Sequence, residues 1–337
     1  MQILLVKLSS LGDIVHTLPV VHDILAAAPN AQIDWVVEKA FAPLLTQVKG
    51  LRRIIPCELR RWRKSLWTAQ TRCEWRAFKS DLQKDTYDAV IDLQGLTKSA
   101  VVARVARLTA DGKRYAMANQ TEGSGYEAPT RWVADVAISL EPHLHAVARG
   151  RQLAATALGY DNEASKQVNY ALKVPLVHVN SAQTAPENIA KRIVFIHGTS
   201  RQDKTWPLQN WVELGQRLMA SGCQIAIVHG SAAELATSQA IAARLAGSTV
   251  LPLMSLNALT QEFGSCQGVI GVDSGVSHIA VALGLPHVQI YNFDTAWRTG
   301  PLNCAYQLSV FAHPAPSVDA VWQAWLQCAK GLESKTP

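Results

Sequence analysis

The sequence predicts an α/β protein with two domains, each built on a doubly wound parallel β-sheet. Three observations lead to this prediction. The chain has 337 residues, which is long for one such domain and sufficient for two of about 150 residues each. Apolar runs rich in β-branched residues alternate with amphipathic stretches from end to end, as βαβ crossovers require. Hydrophobic residues make up 48% of the chain and charged residues 17%, so both domains can bury a core.

The individual elements follow from these runs. In the first half, buried strands are predicted at residues 3–6, 33–37 and 89–93, and helices at 14–28, 41–49, 75–83 and 97–107. In the second half, strands are predicted at 193–196, 224–228, 249–253, 269–272, 287–291 and 308–311, and helices at 211–220, 232–246 and 279–283.

Breaks in the pattern place the domain boundaries. Polar residues and prolines interrupt the periodicity ahead of residue 190, so we predict an N-terminal domain over 1–165, a linker over 166–190 and a C-terminal domain over 191–315. The remaining segment, 316–337, has an amphipathic helical pattern and is predicted to pack back on the first domain. Two such sheets are expected to face a cleft at the carboxyl ends of their strands, where open α/β folds bind ligands.

Several classes of protein are disfavoured. No apolar run reaches the ~18 residues that a membrane-spanning helix needs, and the N-terminus is typical of a buried strand rather than a secretion signal. The six cysteines are scattered, without a CxxC pair or a Cys/His cluster, which favours a reduced, metal-free cytoplasmic protein. Neither GxGxxG after a predicted strand nor GxxxxGK[ST] occurs, which argues against NAD-type and P-loop nucleotide sites.

The net charge of +6 comes from one segment. Residues 51–80 contain nine Lys or Arg against two Asp or Glu, which leaves 23 basic and 24 acidic residues elsewhere. A charge run is often only a solvated face, but the interleaved Trp62, Trp67 and Trp75 favour an interface with an anionic partner. Phosphorylated lipid, a membrane surface and nucleic acid all qualify, although no nucleic-acid-binding motif accompanies the segment.

The loop at 8–13, which follows the first predicted strand, ends in Gly12 and Asp13. Asp13 is interpreted either as a helix cap that satisfies free N–H groups or as a general base, and the two roles are compatible. A base fits a reaction in which a sugar hydroxyl loses its proton as it attacks an anomeric carbon.

The loop at 197–207 has the composition of a phosphate site. Thr199, Ser200 and Lys204 suit phosphate oxygens, and Lys204 would oppose the growing charge of a leaving group. The alternative is a solvated loop that precedes a helix near Pro207.

The segment at 271–278 is the most specific of the three loops, because acid, hydroxyl, glycine and histidine crowd into one turn. Asp273, Ser274 and Gly275 lead from a strand into a helix, whose N-terminus attracts a diphosphate. The alternative is a capped helix with His278 packed at the surface.

Seven stretches carry a resemblance to a known family. They are KLSSLGDIVHTLP (7–19), IDWVVE (33–38), RRWRK (60–64), YDAVIDLQGLTKSA (87–100), HAVARGR (145–151), TSRQDKTWP (199–207) and VDSGVSHIAVALGLP (272–286). Through them the sequence resembles the lipopolysaccharide heptosyltransferases of glycosyltransferase family nine over nearly its full length. RRWRK and the stretch at 94–99 favour the heptosyltransferase I branch.

The resemblance implies a GT-B architecture with two Rossmann-like domains, the acceptor on the first and ADP-heptose on the second. It implies inverting transfer of L-glycero-D-manno-heptose from ADP-heptose to the first Kdo of Kdo-modified lipid A, in the inner core of lipopolysaccharide. The resemblance implies a reaction that needs no metal in the protein. No cofactor is expected either, since ADP-heptose is counted as a substrate. The implied partners are ADP-heptose, Kdo-modified lipid A and the cytoplasmic face of the inner membrane, where the protein would be peripheral, and not nucleic acid.

Residue roles are carried over position by position from the resemblance. Asp13 matches the catalytic base. The positions that match donor contacts are Thr199, Ser200, Lys204, Glu234, Met254, Asp273, Ser274, Gly275 and His278. The positions that match acceptor contacts are Ser10, Gly12, Arg60, Arg61, Arg63, Lys64, Gln94 and Lys98.

The segment 119–131 departs from the family pattern. Gly123 falls near the place of an expected acceptor-side arginine, and Arg131 is a candidate replacement. Three other functions remain open from the residues alone: a related glycosyltransferase with another donor or acceptor, a sugar-nucleotide epimerase of the same architecture, and a non-catalytic two-domain binding protein.

Overall fold

The computed structural model of the protein describes residues 1–161, 168–173, 192–302 and 304–333. The chain divides into two compact units, Met1–Lys173 and Val174–Pro337. The division falls within the segment 166–190 that was expected to be a linker, of which residues 166, 167 and 174–190 lie outside the described residues.

The first unit is built on a six-stranded parallel sheet with the strand order β3-β2-β1-β4-β5-β6. Its strands are β1 (Gln2–Val6), β2 (Gln32–Glu38), β3 (Leu51–Cys57), β4 (Thr86–Asp92), β5 (Arg107–Met117) and β6 (Val136–Ile138). Its helices are α1 (Leu11–Thr17), α2 (Pro19–Ala27), α3 (Ala42–Leu45), α4 (Leu59–Trp62), α5 (Ala69–Leu82), α6 (Thr97–Val105), α7 (Pro129–Val133) and α8 (Ala146–Leu158). This strand order reverses between β1 and β4, which pair with each other.

Four predictions for the first unit are corrected. The helix predicted at 14–28 is two helices, because Pro19 lacks the N–H that a continuous helix would need and instead begins α2. The helix predicted at 41–49 is limited to α3, and the one at 75–83 begins earlier, where Thr68 caps α5. The one at 97–107 ends at Val105, and Arg107 already belongs to β5.

Strand β3 was missed because it carries basic residues. The Arg52 guanidinium donates to both carboxylate oxygens of the buried Asp34 on the neighbouring strand, at 2.8 and 2.6 Å, and Arg53 pairs with Asp85. Tyr87 also donates to Asp34, at 2.8 Å. Part of the charge excess at 51–80 is therefore neutralised by carboxylates elsewhere in the first unit and is not available to a partner.

The second unit has a six-stranded parallel sheet with the order β12-β11-β10-β7-β8-β9. Its strands are β7 (Arg192–Ile196), β8 (Gln224–Ile227), β9 (Thr249–Val250), β10 (Gly268–Val272), β11 (His287–Tyr291) and β12 (Gln307–Phe311). Its helices are α9 (Leu208–Ala220), α10 (Ala232–Ala242), α11 (Leu256–Gly264), α12 (Gly275–Ala282), α13 (Ala296–Thr299) and α14 (Val318–Glu333). The order again reverses once, between the paired strands β7 and β10.

The prediction of an α/β fold with two doubly wound parallel sheets is confirmed. The strand predicted at 249–253 is shorter, since only Thr249 and Val250 pair with β8. The helix predicted at 232–246 ends at Ala242, and the one at 211–220 begins at Leu208.

The final helix packs within the second unit, and its predicted packing against the first domain stays a prediction. Val321, Trp325 and Cys328 on α14 are buried in one cluster with β7, β8, β10, β11 and α9 residues. The Trp325 ring lies so close to Gly268 on β10 that a Cβ there would be 2.5 Å from it. The apolar stripe of α14 is thus already occupied by the second sheet.

The helices within the described ranges include none that is both long and apolar enough to cross a bilayer. All six cysteines are free thiols. No cluster of three or more potential metal ligands was found among the described residues.

Candidate active site

The predicted site residues gather where the strand order of each sheet reverses. The loops after β1 and β4 carry the predicted base and part of the acceptor set, and the loops after β7 and β10 carry most of the predicted donor set. The carboxyl ends of the strands at such a reversal form the crevice that open α/β sheets use for ligands. Topology therefore places the two groups of residues at the binding edge of their own sheets.

Asp13 lies in the first turn of α1, which is separated from β1 by the four residues 7–10. The Ser10 backbone N–H and hydroxyl donate to Oδ2 of Asp13 at 2.9 and 2.8 Å. The side chain is 37% exposed. Asp13 is thus a capping residue, as one of the two interpretations has it, and still presents a carboxylate to solvent.

Charges around Asp13 keep it ionised. Burial alone would raise the pKa of Asp13, but the Lys7 charge, the Ser10 hydrogen bonds and Arg149 together hold it below its usual value. Arg149 Nη2 lies 3.8 Å from Oδ1, the oxygen that does not receive the Ser10 bonds. A carboxylate that is ionised at neutral pH is able to accept a proton.

Lys7 and Arg149 were not singled out by sequence reasoning. Lys7 is buried on the loop after β1, its ammonium donates to the Leu93 carbonyl at 2.9 Å, and burial lowers its pKa to about 8. Arg149 is buried on α8, where it also donates to Thr121 at 3.3 Å. The signal for Arg149 was the stretch HAVARGR, which supported the family resemblance without a role for any of its residues.

The loop after β4 supports the loop after β1. Gln94 Oε1 accepts hydrogen bonds from the backbone N–H groups of Leu8 and Ser9, both at 3.1 Å, and Lys98 donates to the Ser9 hydroxyl at 2.8 Å. Asp92 is the last residue of β4, and burial raises its pKa to about 6 despite hydrogen bonds from Gln94, Gly95 and Ser99. Gln94 and Lys98 therefore position the Ser10 and Asp13 loop, and their contact with an acceptor stays a prediction.

The basic residues predicted to contact the acceptor fall into two groups, one ion-paired within the protein and one exposed to solvent. Arg61 forms ion pairs with Glu58 and Glu74, whereas Arg63 and Lys64 are exposed. Arg60 is exposed, and its guanidinium lies 5.8 Å above the Phe41 ring. Arg60, Arg63 and Lys64 are therefore better placed to meet an external anion than Arg61 is.

The divergent segment does not bring an arginine to Asp13. Arg131 is exposed on α7, and Gly123 occupies a turn with a φ of +66° that favours glycine. Gly12 is buried within the first turn of α1. Arg149 is the arginine beside Asp13.

In the second unit, Asp273 at the end of β10 is the centre of the donor set. Lys204 pairs with its Oδ2, and His278 Nε2 lies 3.5 Å from its Oδ1. Thr199 donates to the Asp273 carbonyl at 3.3 Å. Burial would raise the pKa of Asp273, but the His278 and Lys204 contacts hold it well below its usual range. Lys204 and His278 are thus tied to one ionised carboxylate, and Thr199 is tied to the backbone carbonyl of the same residue.

The helix that follows offers an anion site at its N-terminus. Ser274 caps α12 by accepting from Ser277 N–H at 3.4 Å, and Gly275 is the first helical residue. Ser200, in the loop after β7, is exposed, and Met254 is half-buried in the loop after β9. These positions are compatible with the predicted donor contacts, which stay predictions.

Glu234 lies on α10, next to the loop after β7. Its carboxylate accepts from Gly230 N–H at 2.6 Å. A Cβ on Gly198 would come within 2.5 Å of this carboxylate, so only glycine permits the two to be adjacent. His197, the preceding residue, is buried and hydrogen-bonds Ser238 at 2.7 Å.

Comparison with known proteins decides the family. A model of glycosyltransferase family 9 (heptosyltransferase) matches residues 75–321, which is most of the chain. The chain belongs to glycosyltransferase family 9. This family 9 enzyme is 38% identical over 306 residues to lipopolysaccharide heptosyltransferase 1 of Pseudomonas aeruginosa, a match that covers 89% of this chain and 81% of the relative.

Two solved structures of Escherichia coli heptosyltransferase WaaC are similar to this family 9 member. The one with ADP has a TM-score of 0.84 and 33% sequence identity, over 96% of this chain and 98% of WaaC. The one with ADP-2-deoxy-2-fluoro heptose has a TM-score of 0.77 and 32% identity, over 100% of both chains. These findings confirm the predicted resemblance and the assignment as a glycosyltransferase of the heptosyltransferase family.

Proposed function

We propose that this enzyme transfers L-glycero-D-manno-heptose from ADP-heptose to the first Kdo of Kdo-modified lipid A, with inversion at the anomeric carbon. It acts in synthesis of the lipopolysaccharide inner core, peripherally at the cytoplasmic face of the inner membrane. The proposal is supported by the relatives, which are named for lipopolysaccharide heptose transfer and solved with ADP and an ADP-heptose analogue.

The observation that carries the proposal is the ionised, partly exposed Asp13 carboxylate at the carboxyl end of β1. Its Oδ2 is held by Ser10, which leaves Oδ1 to accept the proton of the attacking Kdo hydroxyl. Ser10 is the N-cap of α1 and Asp13 lies in the first turn of that helix, so the proposed base and the residue that holds it are three positions apart. Arg149 and Lys7 keep the base ionised before the acceptor arrives.

The donor is proposed to bind at the edge of the second sheet, with its diphosphate at the N-terminus of α12. Free N–H groups at the start of that helix and the Lys204 ammonium would stabilise the negative charge that develops on departing ADP. Asp273 holds Lys204 and His278 in place for this role. Glu234 supplies a carboxylate for the ribose hydroxyls, and Met254 lines the adenine side.

The acceptor carries negative charge, which suits the basic residues of α4 and of the turn that follows it. Arg60, Arg63 and Lys64 are exposed, and we assign them to acceptor phosphates and Kdo carboxylates. Arg61 contributes mainly through its ion pairs with Glu58 and Glu74, which fix the conformation of the turn.

A transfer assay with ADP-heptose and Kdo-modified lipid A tests the proposal, with Asp13→Ala as the negative control. Formation of heptosylated product by the wild type and its loss in the variant is the expected result. Turnover with a different sugar nucleotide or acceptor alone would assign a related glycosyltransferase. Release of free epimerised sugar without acceptor would assign an epimerase, and tight ADP-sugar binding without any turnover would assign a binding protein.

A further inference from the structure

Two apolar side chains project from the turn between α4 and α5. Trp67 is 88% exposed and Leu66 is 56% exposed, and they are adjacent in the chain. The other two tryptophans of the basic segment differ from Trp67, because Trp62 is buried and Trp75 is half-buried. An indole that is almost wholly in water forgoes the burial that usually stabilises it, which marks a contact surface.

The turn that carries Leu66 and Trp67 is firmly anchored at its base. Trp62, Trp75 and Phe78 pack against one another with ring centroids 5.6 to 6.0 Å apart. The Trp62 indole donates to Glu74 at 2.7 Å, and the Ser65 and Thr71 hydroxyls lie 3.0 Å apart. The exposed pair is therefore presented by a fixed turn, so docking it costs little ordering entropy.

Exposed cations surround this pair. Arg63 and Lys64 precede it with one residue between, and Arg72, Arg76 and Lys79 follow on α5. The last three recur at i, i+4 and i+7, so they share one flank of that helix. Within the described part of the chain, these five side chains have no carboxylate within 4.0 Å.

The cationic flank of α5 ends in a shallow depression. Arg76 and Lys79 line it together with Ser80, Gln83 and Arg107, and its volume is about 490 Å³. No acidic residue lines it. The surface that begins at Trp67 and runs along α5 is therefore basic from the turn to the last turn of the helix.

We propose that Leu66 and Trp67 insert into the headgroup region of an anionic bilayer, while the cations of the turn and of α5 bind lipid phosphates. The inference deepens the proposed function, since it names the element that brings the enzyme to a lipid-embedded acceptor. An indole with an apolar body and a polar N–H suits the headgroup boundary, and basic residues beside it add electrostatic attraction. Two adjacent, exposed apolar side chains flanked by cations fit an anionic lipid surface, which requires no complementary groove.

Vesicle co-sedimentation tests the inference with the whole chain. Wild-type protein is mixed with vesicles of phosphatidylethanolamine and phosphatidylglycerol at 3:1, and with vesicles of phosphatidylcholine alone. Binding is expected only to the anionic vesicles and is expected to weaken in high salt. The Leu66→Ala/Trp67→Ala variant is expected to bind about tenfold or more weakly.

Phe311→Ala is the matched control, because it removes an aromatic side chain that is 46% exposed in the second unit. It should bind vesicles like the wild type. Thermal unfolding followed by circular dichroism checks that both units of each variant are folded. Transfer to a water-soluble acceptor without acyl chains should be equal for wild type and the Leu66/Trp67 variant, whereas transfer to vesicle-embedded acceptor should fall.

Equal vesicle binding by the wild type and the Leu66/Trp67 variant overturns the inference. Equal loss in Phe311→Ala overturns it as well, because the binding would then be general adsorption. Competition of vesicle binding by a duplex oligonucleotide, with no effect of the Leu66/Trp67 change, would assign the basic surface to nucleic acid instead. Vesicle binding is read without turnover, so a failure of the proposed transfer reaction is distinguishable from a failure of this inference.

Discussion

Arg149 Nη2 lies 3.8 Å from Asp13 Oδ1, so a guanidinium on α8 adjoins the carboxylate in the first turn of α1. With Lys7, it supplies the positive charge that keeps the pKa of Asp13 low. The pKa of the proposed base is therefore lowered both by residues of its own motif, Lys7 and Ser10, and by Arg149 from a distant helix, which makes removal of Arg149 informative.

Replacing Arg149 with Met should shift the pH dependence of activity. Removal of a positive charge raises the pKa of Asp13, and the base acts in its ionised form, so the acidic limb of kcat/KM should move to higher pH. Arg149→Lys keeps the positive charge and should therefore shift the acidic limb of kcat/KM by less than Arg149→Met does. If the acidic limb is unchanged in a variant that still binds ADP, ionisation of Asp13 does not control the pH dependence of activity.

Replacing Asp13 with Ala should lower kcat by about 100-fold or more, which is the usual reach of acid–base catalysis. ADP-heptose affinity should stay within a few-fold, because Asp13 belongs to the first unit and the proposed donor residues to the second. Steady-state kinetics measures kcat, and calorimetry measures the affinity. Turnover near that of the wild type would remove Asp13 from the chemistry.

Replacing Lys204 with Ala should weaken ADP binding by about tenfold or more and lower turnover. The variant also leaves the buried Asp273 carboxylate with one partner fewer, so the matched control is Lys204→Ala/Asp273→Asn. If the Lys204 charge binds the diphosphate, the double variant stays weak. Calorimetry with ADP measures this, and full recovery in the double variant would show that only the uncompensated Asp273 charge matters.

Replacing Gly198 with Ala should reduce ADP-heptose affinity about tenfold, because the new Cβ would displace the Glu234 carboxylate that now lies within 2.5 Å of its position. Thermal stability should change little, since the carboxylate can rotate towards solvent. Gly150→Ala is the control, with its nearest side-chain atom 3.5 Å away. Equal affinity for wild type and Gly198→Ala would argue against a donor role for Glu234.

Replacing Arg63 and Lys64 with Gln should raise the KM for the acceptor several-fold and leave ADP affinity unchanged. Arg61→Gln should instead lower the melting temperature, because it breaks ion pairs with Glu58 and Glu74. Steady-state kinetics and thermal unfolding separate the two effects. Loss of ADP binding in the Arg63/Lys64 variant would point to misfolding rather than to acceptor recognition.

The sequence predicted those parts of the fold that depend on local pattern. Strands such as β1, β4, β7 and β10 are apolar on both faces and were found, whereas β3 and β5 carry charges along their length and were missed. The ion pair between Arg52 and Asp34 explains the case of β3. The carboxylate on the neighbouring strand compensates the arginine charge, so a basic segment can form a strand of the sheet.

The candidate site was predictable to the extent that its residues share a motif. Asp273, Ser274 and Gly275 were recognised together because a strand end and a helix start adjoin in the sequence. Contacts between distant segments were not predictable. That Gln94 accepts from the loop after β1, or that Arg149 reaches Asp13, depends on which strands are neighbours in the sheet.

The place of α14 in the second core has a consequence for synthesis of the protein. Every residue of the first unit precedes Val174, so its sheet can assemble while translation continues. The second core needs Val321, Trp325 and Cys328, which follow every strand of its sheet in the sequence. The second unit can therefore complete its core only after α14 has been synthesised, whereas the first unit can fold before that point.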